Sequence, residues 1–185
     1  MRPQNVRRFK SIPLPKSRIG RGARFAALPV VWGQTGDLSM EHGLVKRKRI
    51  LLVEDTSSYC ELLEEAFCQQ GSRYDLQIER TVTSALAFLQ NVHVLPDLIV
   101  LDLKLRDRSG TELLRRIRAD TRLALIPVVM LTASDNPIDM KTCYSLGANS
   151  CIVKPDTFVD LITLAGDLCR YWLRWNYSFR SVTEG

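Results

Sequence analysis

Residues 96–102 of the 185-residue chain, Pro96-Asp-Leu-Ile-Val-Leu-Asp102, decide the fold class. Leu98–Leu101 is an unbroken apolar run, and such runs are typical of strands buried on both faces of a parallel sheet. The Pro-Asp pair bounds the strand at its start, and Asp102 places a carboxyl group at its end. Three further short runs are also largely apolar, and we predict buried strands at Ile50–Val53, Pro127–Leu131 and Ser150–Val153.

Segments with helical periodicity alternate with these strands, and Tyr74–Arg80 alternates as one more strand. Ser58 and Glu61 have capping-box spacing for a first helix that Gly71 ends. Further helices are predicted at Ser84–Leu89, from Ser109 with Glu112 three positions on, from Asn136 to Gly147, and from Asp156 to Trp172. In the third helix we expect apolar residues to face inward and arginines outward: Leu113, Leu114 and Ile117 against Arg115, Arg116 and Arg118. Five strand–helix units imply an α/β fold with helices on both faces of a parallel sheet.

Chemically active side chains stand where these strands end, at the edge where open α/β sheets bind ligands. They are Glu54, Asp55, Asp102, Thr132 and Lys154. Three converging carboxylates repel one another unless a cation lies between them, and an oxygen-only ligand set suits Mg²⁺. A lysine and a hydroxyl nearby would hold the oxygens of a phosphoryl group. Any one of these residues alone is as well explained as a helix cap, a turn residue or a solvated charge, but together they predict phosphoryl transfer onto a carboxylate.

Four motifs carry a resemblance to the receiver domain of two-component response regulators. They are Arg49-Ile-Leu-Leu-Val-Glu-Asp55, Pro96-Asp-Leu-Ile-Val-Leu-Asp102, Val128-Val-Met-Leu-Thr-Ala133 and Ile152-Val-Lys-Pro155. The resemblance covers roughly residues 47–172 and implies a flavodoxin-like fold with a five-stranded parallel sheet in the order 2-1-3-4-5. It also implies that the chain is a phosphoacceptor signalling protein rather than an enzyme with a separate substrate.

The resemblance assigns roles to the carboxylates. Asp102 would be the phosphoacceptor, phosphorylated from the phosphohistidine of a histidine kinase. Glu54 and Asp55 match the acidic pair of the family, with Asp55 as a direct Mg²⁺ ligand beside Asp102. The backbone carbonyl of Lys104 would complete the protein's share of the metal shell.

The resemblance also assigns the residues that contact the phosphoryl group. Thr132 and Lys154 would each bond one of its oxygens, and the small Ala133 would leave access to it. Lys154-Pro155 resembles the cis peptide of the family, an isomer that only proline makes accessible. Gly110, eight residues after Asp102, matches the pattern as well.

Three positions depart from the usual pattern of the family. Cys151 stands where an aromatic residue is usual, so the coupled movement of a threonine and an aromatic side chain is in question. Arg106 replaces a frequent proline, from which we expect a more mobile loop. Lys104 places a cation beside the acceptor and, with Ser134, should affect hydrolysis, so Lys104→Ala should change the lifetime of the phosphoryl group.

Residues 1–45 are interpreted as a disordered basic extension, followed by the receiver domain at 46–175 and a short tail at 176–185. Residues 1–49 hold twelve Lys and Arg against two acids, whereas residues 50–185 hold fourteen against eighteen. Three hypotheses stay open for the extension: a basic tail for an acidic surface, a transit peptide, or an over-long gene model whose natural start is Met40. The excess of acids in the folded part argues against nucleic-acid binding through it.

The class of protein is narrowed by the apolar runs and the cysteines. No apolar run approaches the length of a membrane span. Five cysteines without paired spacing indicate reduced thiols and a cytoplasmic location. We therefore predict a single-domain response regulator that binds a downstream protein or passes the phosphoryl group onward. The alternatives are a phosphorylation-independent pseudo-receiver scaffold and a small phosphohydrolase with an aspartyl nucleophile.

The aromatic residues near the C-terminus, Tyr171, Trp172 and Trp175, allow two interpretations. They either close over the edge of the domain or form a patch for a homodimer or another partner, because Trp, Tyr and Arg are favoured interface anchors. The arrangement resembles stand-alone regulators that partner phytochrome-type histidine kinases.

Overall fold

Five parallel strands form one sheet in the order β2-β1-β3-β4-β5, as predicted. The computed structural model describes residues 47–71 and 74–176. The strands are β1 Lys48–Val53, β2 Tyr74–Glu79, β3 Leu98–Asp102, β4 Val128–Thr132 and β5 Ser150–Val153. All residues of β3 and β4 are buried, which is why both read as unbroken apolar runs.

Helices cover both faces of the sheet and bury a separate core on each. They are α1 Ser57–Cys68, α2 Val82–Asn91, α3 Gly110–Ala119, α4 Pro137–Ser145 and α5 Phe158–Leu168, and α5 runs on into a π-helical segment at Cys169–Trp175. One core joins α2, α3 and α4 to alternate strand residues such as Leu101 and Met130. The other core joins α1 and α5 to the strand residues that face the opposite side of the sheet, such as Val100 and Leu131. This two-layered covering confirms the flavodoxin-like fold.

The helix starts agree with the predictions from the sequence at some positions and differ from them at others. Asn136 caps α4, and its side-chain oxygen accepts a hydrogen bond of 2.9 Å from the Ile138 amide. The capping box expected at Ser58 is wrong, because α1 begins at Ser57 and Thr56 holds the N-cap position. At α3, Ser109 is the cap as expected, but Glu112 pairs with Arg108 and Arg116 instead of returning to the cap.

Arg118 is the one arginine of α3 that does not face outward as predicted. Its guanidinium donates hydrogen bonds to three backbone carbonyls, those of Gly147 at 2.8 Å, Ala124 at 3.1 Å and Ile126 at 3.0 Å. It also donates to Asn149 Oδ1 at 2.8 Å, an oxygen that accepts from the Val128 amide as well. Arg118 therefore ties the end of α3 to the segments that lead into β4 and β5.

The aromatic residues after α5 divide between the core and the surface. Trp172 packs against the core under α1 and α5, whereas Tyr171 and Trp175 are 57% and 66% exposed. Trp172 thus closes the edge of the domain. An interface with a second copy or another partner stays a prediction for the exposed rings of Tyr171 and Trp175. The predicted extension at 1–45, with its alternative start at Met40, and nearly all of the tail lie outside the described residues. Among the described helices, none is both long and apolar enough for a membrane span.

Candidate functional site

Three carboxylates meet at the edge of the sheet where the strands end. Glu54 and Asp55 follow β1, Asp102 ends β3, and the two strands are paired at Val53 and Leu101. One oxygen from each carboxylate lies within 4.8 Å of the others. Glu54 and Asp102 are buried, while Asp55 is partly exposed and provides the open side of the cluster. The three carboxylates that were predicted to converge therefore do lie together in the structure.

Lys154 supplies the counter-charge to the buried acids. Its ammonium nitrogen lies 2.6 Å from Glu54 Oε2 and 3.2 Å from Asp102 Oδ2. The Lys154 amide donates to the Thr132 carbonyl at 2.8 Å, which holds the lysine beside the end of β4. Burial raises the pKa of Asp102, the charge of Lys154 lowers it and that of Glu54 raises it, with a net upward shift. Without the lysine, Glu54 would be a fully buried charge with no partner of opposite sign among the described residues.

Asp55 is held by the loop that follows β3. The Arg106 amide donates to Asp55 Oδ2 at 2.9 Å, and Arg106 Nε lies 3.3 Å from the same oxygen. The next residue, Asp107, accepts from the amides of Val82 and Thr83 at the start of α2. A proline at position 106 would have neither the amide hydrogen nor the charge. These contacts oppose the expectation that Arg106 makes this loop more mobile.

Gly110 lies directly against the backbone of Asp102. Its amide donates to the Leu103 carbonyl at 2.9 Å. A Cβ at this position would lie 2.0 Å from the Asp102 carbonyl oxygen. The absence of a side chain is thus what lets α3 begin beside Asp102, which gives a steric reason for the glycine that the sequence singled out.

Thr132 and Lys104 lie at the edge of the sheet that carries the acidic cluster, and each contacts neighbouring protein residues there. The buried Thr132 hydroxyl accepts from the Ser134 amide at 3.0 Å and donates to the Ser134 carbonyl at 3.3 Å. Lys104 forms an antiparallel bridge with Ser109, and its amide hydrogen-bonds Asp102. The metal contact of the Lys104 carbonyl stays a prediction.

The cis peptide expected between Lys154 and Pro155 is wrong. No cis peptide bond occurs among the described residues, so this bond is trans. The trans isomer of a bond to proline is favoured by about 0.5–1 kcal/mol. Lys154 reaches both Glu54 and Asp102 with the bond trans, so neither contact requires the other isomer.

Tyr59 is a site residue that the sequence analysis missed. The Lys154 ammonium lies 4.6 Å from the centre of its ring, a cation–π contact. Its hydroxyl is buried without a hydrogen-bond partner in the described part of the chain. Burial and the charges of Glu54 and Asp102 raise the pKa of Tyr59. Its position in the first turn of α1, only four residues after Asp55, was the available signal.

The site and the fold agree with a known family. A model of the response regulator receiver domain matches residues 50–165, well over half of the chain. The chain belongs to this family. Receiver domains are signalling proteins that interact with histidine kinases and with downstream partners.

Two relatives of this receiver domain are matched over most of their own length. It is 37% identical over 133 residues to the probable methanogenesis regulatory protein FilR2 of Methanothrix harundinacea, covering 70% of this chain and 86% of FilR2. It is 35% identical over 131 residues to the response regulator Rcp1 of Synechocystis, covering 68% of this chain and 89% of Rcp1. Since the match takes up most of each relative, this receiver domain is homologous to single-domain regulators.

Two crystal structures have the same fold as this receiver domain. One is the phosphorylated cyanobacterial phytochrome response regulator RcpA, with a TM-score of 0.68 and 31% identity over 72% of this chain and 99% of RcpA. The other is the Mn²⁺-bound form of Rcp1, with a TM-score of 0.65 and 34% identity over 71% of this chain and 98% of Rcp1. The acidic cluster of Glu54, Asp55 and Asp102 has the oxygen donors that a hard divalent cation prefers, so the cluster can bind a metal.

Proposed function

We propose that the chain is a single-domain response regulator that accepts a phosphoryl group on Asp102 from a histidine kinase. The observation that carries this proposal is the buried Asp102 carboxylate, which lies between Lys154 and two further acids. Both oxygens of Glu54 have partners, Thr56 and Lys154, and Asp55 is engaged by Arg106. Asp102 accepts a hydrogen bond from the Lys104 amide, and its Oδ2 lies 3.2 Å from the Lys154 ammonium nitrogen.

In the proposed reaction, a carboxylate oxygen of Asp102 forms a bond to phosphorus while the bond from phosphorus to the kinase histidine breaks. Lys154 then exchanges its contact with Asp102 for one with a phosphoryl oxygen, and keeps its shorter contact with Glu54. The Thr132 hydroxyl leaves Ser134 and donates to a second phosphoryl oxygen. These exchanges neutralise the negative charge that the new group brings into a buried site.

Magnesium is the metal we propose for the acidic cluster. Carboxylate oxygens of Asp55 and Asp102 and the Lys104 carbonyl would hold it, with Glu54 beside them. A divalent cation there supplies charge neutralisation for phosphoryl transfer. The oxygen-only donor set and the partly exposed Asp55, which leaves room for water ligands, support Mg²⁺.

The kinase partner we propose is of the phytochrome type, which the similarity to RcpA supports. The phosphorylated protein would signal by binding a downstream protein or a second copy of the chain near the exposed Tyr171 and Trp175. We place the protein in the cytoplasm, and we expect no nucleic acid to bind the folded domain. We propose no substrate turnover beyond the protein's own phosphorylation and dephosphorylation. A hydrolase with an aspartyl nucleophile is disfavoured, because Lys104 stands where such enzymes have a second aspartate.

Incubation with acetyl phosphate and Mg²⁺, followed by intact-mass measurement, tests this proposal. The wild type should gain the mass of one phosphoryl group as an acid-stable, base-labile adduct, and Asp102→Asn should gain none. Asp135→Asn is the matched control, because Asp135 is an exposed carboxylate in the neighbouring loop. Labelling of Asp102→Asn would refute the assignment of the acceptor. An unlabelled wild type would instead favour the pseudo-receiver scaffold.

A further inference from the structure

The ring of Tyr59 covers the ammonium group of Lys154. The ammonium nitrogen lies over the ring, 4.6 Å from its centre. The same nitrogen lies 2.6 Å from Glu54 Oε2 and 3.2 Å from Asp102 Oδ2, and these contacts engage two of its three N–H groups. The Lys154 side chain is only 15% exposed. The ring therefore takes a place around the ammonium that water would otherwise fill.

Glu54 fixes the backbone that carries Tyr59. Glu54 Oε1 accepts a hydrogen bond from the Thr56 amide at 3.1 Å, and the Glu54 carbonyl accepts one from the Cys60 thiol at 3.2 Å. The Cys60 amide donates to the Thr56 carbonyl at 2.9 Å, which closes the first turn of α1 around Tyr59. The other carboxylate oxygen of Glu54 contacts Lys154. One buried carboxylate thus holds both the ammonium group and the helical turn that places the ring on it.

The ring of Tyr59, and not its hydroxyl, explains why an aromatic residue stands here. The hydroxyl is buried and has no hydrogen-bond partner in the part of the chain that the structure describes. A buried polar group without a partner costs free energy, so the hydroxyl gives no reason for this side chain. The ring gives one, because the negative face of an aromatic ring attracts a cation, and does so more strongly where water is scarce.

We propose that Tyr59 is a positioning residue whose ring keeps the Lys154 ammonium within reach of Asp102 for phosphoryl transfer. This role rests on the proposed function. In the transfer, an Asp102 oxygen bonds to phosphorus while the bond from phosphorus to the donor breaks, and the ammonium moves from Asp102 Oδ2 to a phosphoryl oxygen. Glu54 is the nearer acid and by itself draws the ammonium away from Asp102. The ring contact stabilises the position from which the ammonium reaches both acids.

The rate of Asp102 phosphorylation by acetyl phosphate and Mg²⁺ tests this role. Tyr59→Leu should slow the reaction about 3–10-fold, the rate equivalent of a cation–π contact at a largely desolvated ammonium. Tyr59→Phe keeps the ring and should react within about 2-fold of the wild-type rate. The Mg²⁺ concentration that gives half the maximal rate should not change in either variant, because Tyr59 is not among the proposed metal ligands.

Nuclear magnetic resonance of the full chain tests the contact itself, without any phosphorylation. Protons above the face of an aromatic ring are shielded, so the ε-methylene protons of Lys154 should resonate upfield of those of the exposed Lys104. Loss of the signal in Lys154→Arg assigns it. The upfield shift should persist in Tyr59→Phe and disappear in Tyr59→Leu. A wild-type Lys154 signal without this shift would overturn the contact and the proposal with it.

Phe88→Leu is the matched control for the loss of a half-buried ring. Phe88 packs on the core under α2, α3 and α4, beside Arg49 and Pro96 at the opposite end of the sheet from the acidic cluster. This variant should keep the wild-type rate of phosphorylation. The proposal is overturned if Phe88→Leu slows the reaction as much as Tyr59→Leu, if Tyr59→Phe does so, or if Tyr59→Leu reacts at the wild-type rate. A wild type that acetyl phosphate does not label refutes instead the phosphoacceptor role of Asp102, and the positioning role with it.

Discussion

Gly110→Ala tests whether the start of α3 and the backbone of Asp102 are as close as the structure shows. The added methyl group would lie 2.0 Å from the Asp102 carbonyl oxygen, 3.1 Å from the Asp102 carbonyl carbon and 3.2 Å from the Leu103 Cα. All three atoms belong to the backbone, so no side-chain rotation relieves the contact. Either α3 or the end of β3 must move by about 1 Å or more.

The magnitude follows from the cost of overpacking. Forcing one extra methyl group into a packed site costs about 1–3 kcal/mol, and contact with rigid backbone places this case at the upper end. Alanine has a higher helix propensity than glycine, and this offsets less than about 1 kcal/mol of the overpacking cost at a helix end. We expect the free energy of unfolding to fall by about 2 kcal/mol, and the melting temperature by roughly 6–10 °C. Phosphorylation of Asp102 should slow as well, because its backbone is displaced.

Urea unfolding and the acetyl phosphate reaction measure the two effects. Gly166→Ala in α5 is the matched control, because its new Cβ would lie 3.0 Å from Gln70 Oε1, the end of a flexible side chain. That variant should keep wild-type phosphorylation and change the unfolding free energy by less than about 1 kcal/mol. A Gly110→Ala protein with wild-type stability and labelling rate would refute the tight contact between α3 and Asp102.

Four further substitutions test contacts at and away from the site. Arg106→Ala removes the side-chain ion pair with Asp55 but keeps the backbone hydrogen bond, so calorimetric titration with Mg²⁺ should show an affinity about 2–5-fold higher, and weaker binding would contradict this. Tyr59→Leu should lower the unfolding free energy by about 1–2 kcal/mol through loss of the contact with Lys154. Tyr59→Phe, which keeps the ring and removes the unpartnered hydroxyl, should be as stable as the wild type in the same urea titration. Arg118→Leu leaves its carbonyl partners without a donor and should cost about 3 kcal/mol by thermal or urea unfolding, and a loss below about 0.5 kcal/mol would show that the contacts carry little energy.

The sheet and the composition of the site could be predicted from sequence for the same physical reason. A strand buried on both faces needs an unbroken apolar run, so a polar residue such as Asp102 or Thr132 stands out at its end. Parallel strands place all of these ends at one edge, and this brings Glu54, Asp102 and Lys154 together without knowledge of any contact.

Contacts that depend on side-chain direction could not be predicted in the same way. Lys154 pairs most closely with Glu54, 100 positions away, and only the three-dimensional packing selects Glu54 over Asp102. The helical periodicity grouped Arg118 with Arg115 and Arg116 on an outward face, but the carbonyls that Arg118 binds come from loops with no periodic pattern. The start of α1 was misplaced because Thr56, Ser57 and Ser58 are all suitable N-cap residues, and the spacing of Glu61 favoured Ser58.

The Arg118 contacts lie at the opposite end of the sheet from the acidic cluster. They fasten the entries to β4 and β5, whereas the exits of these strands carry Thr132 and Lys154. Because Arg118 holds these entries, we expect the proposed phosphorylation of Asp102, if it moves Thr132 and Lys154, to turn β4 and β5 about their entry ends. Such a movement would tilt α4 and β5, and the outer surface would change in angle.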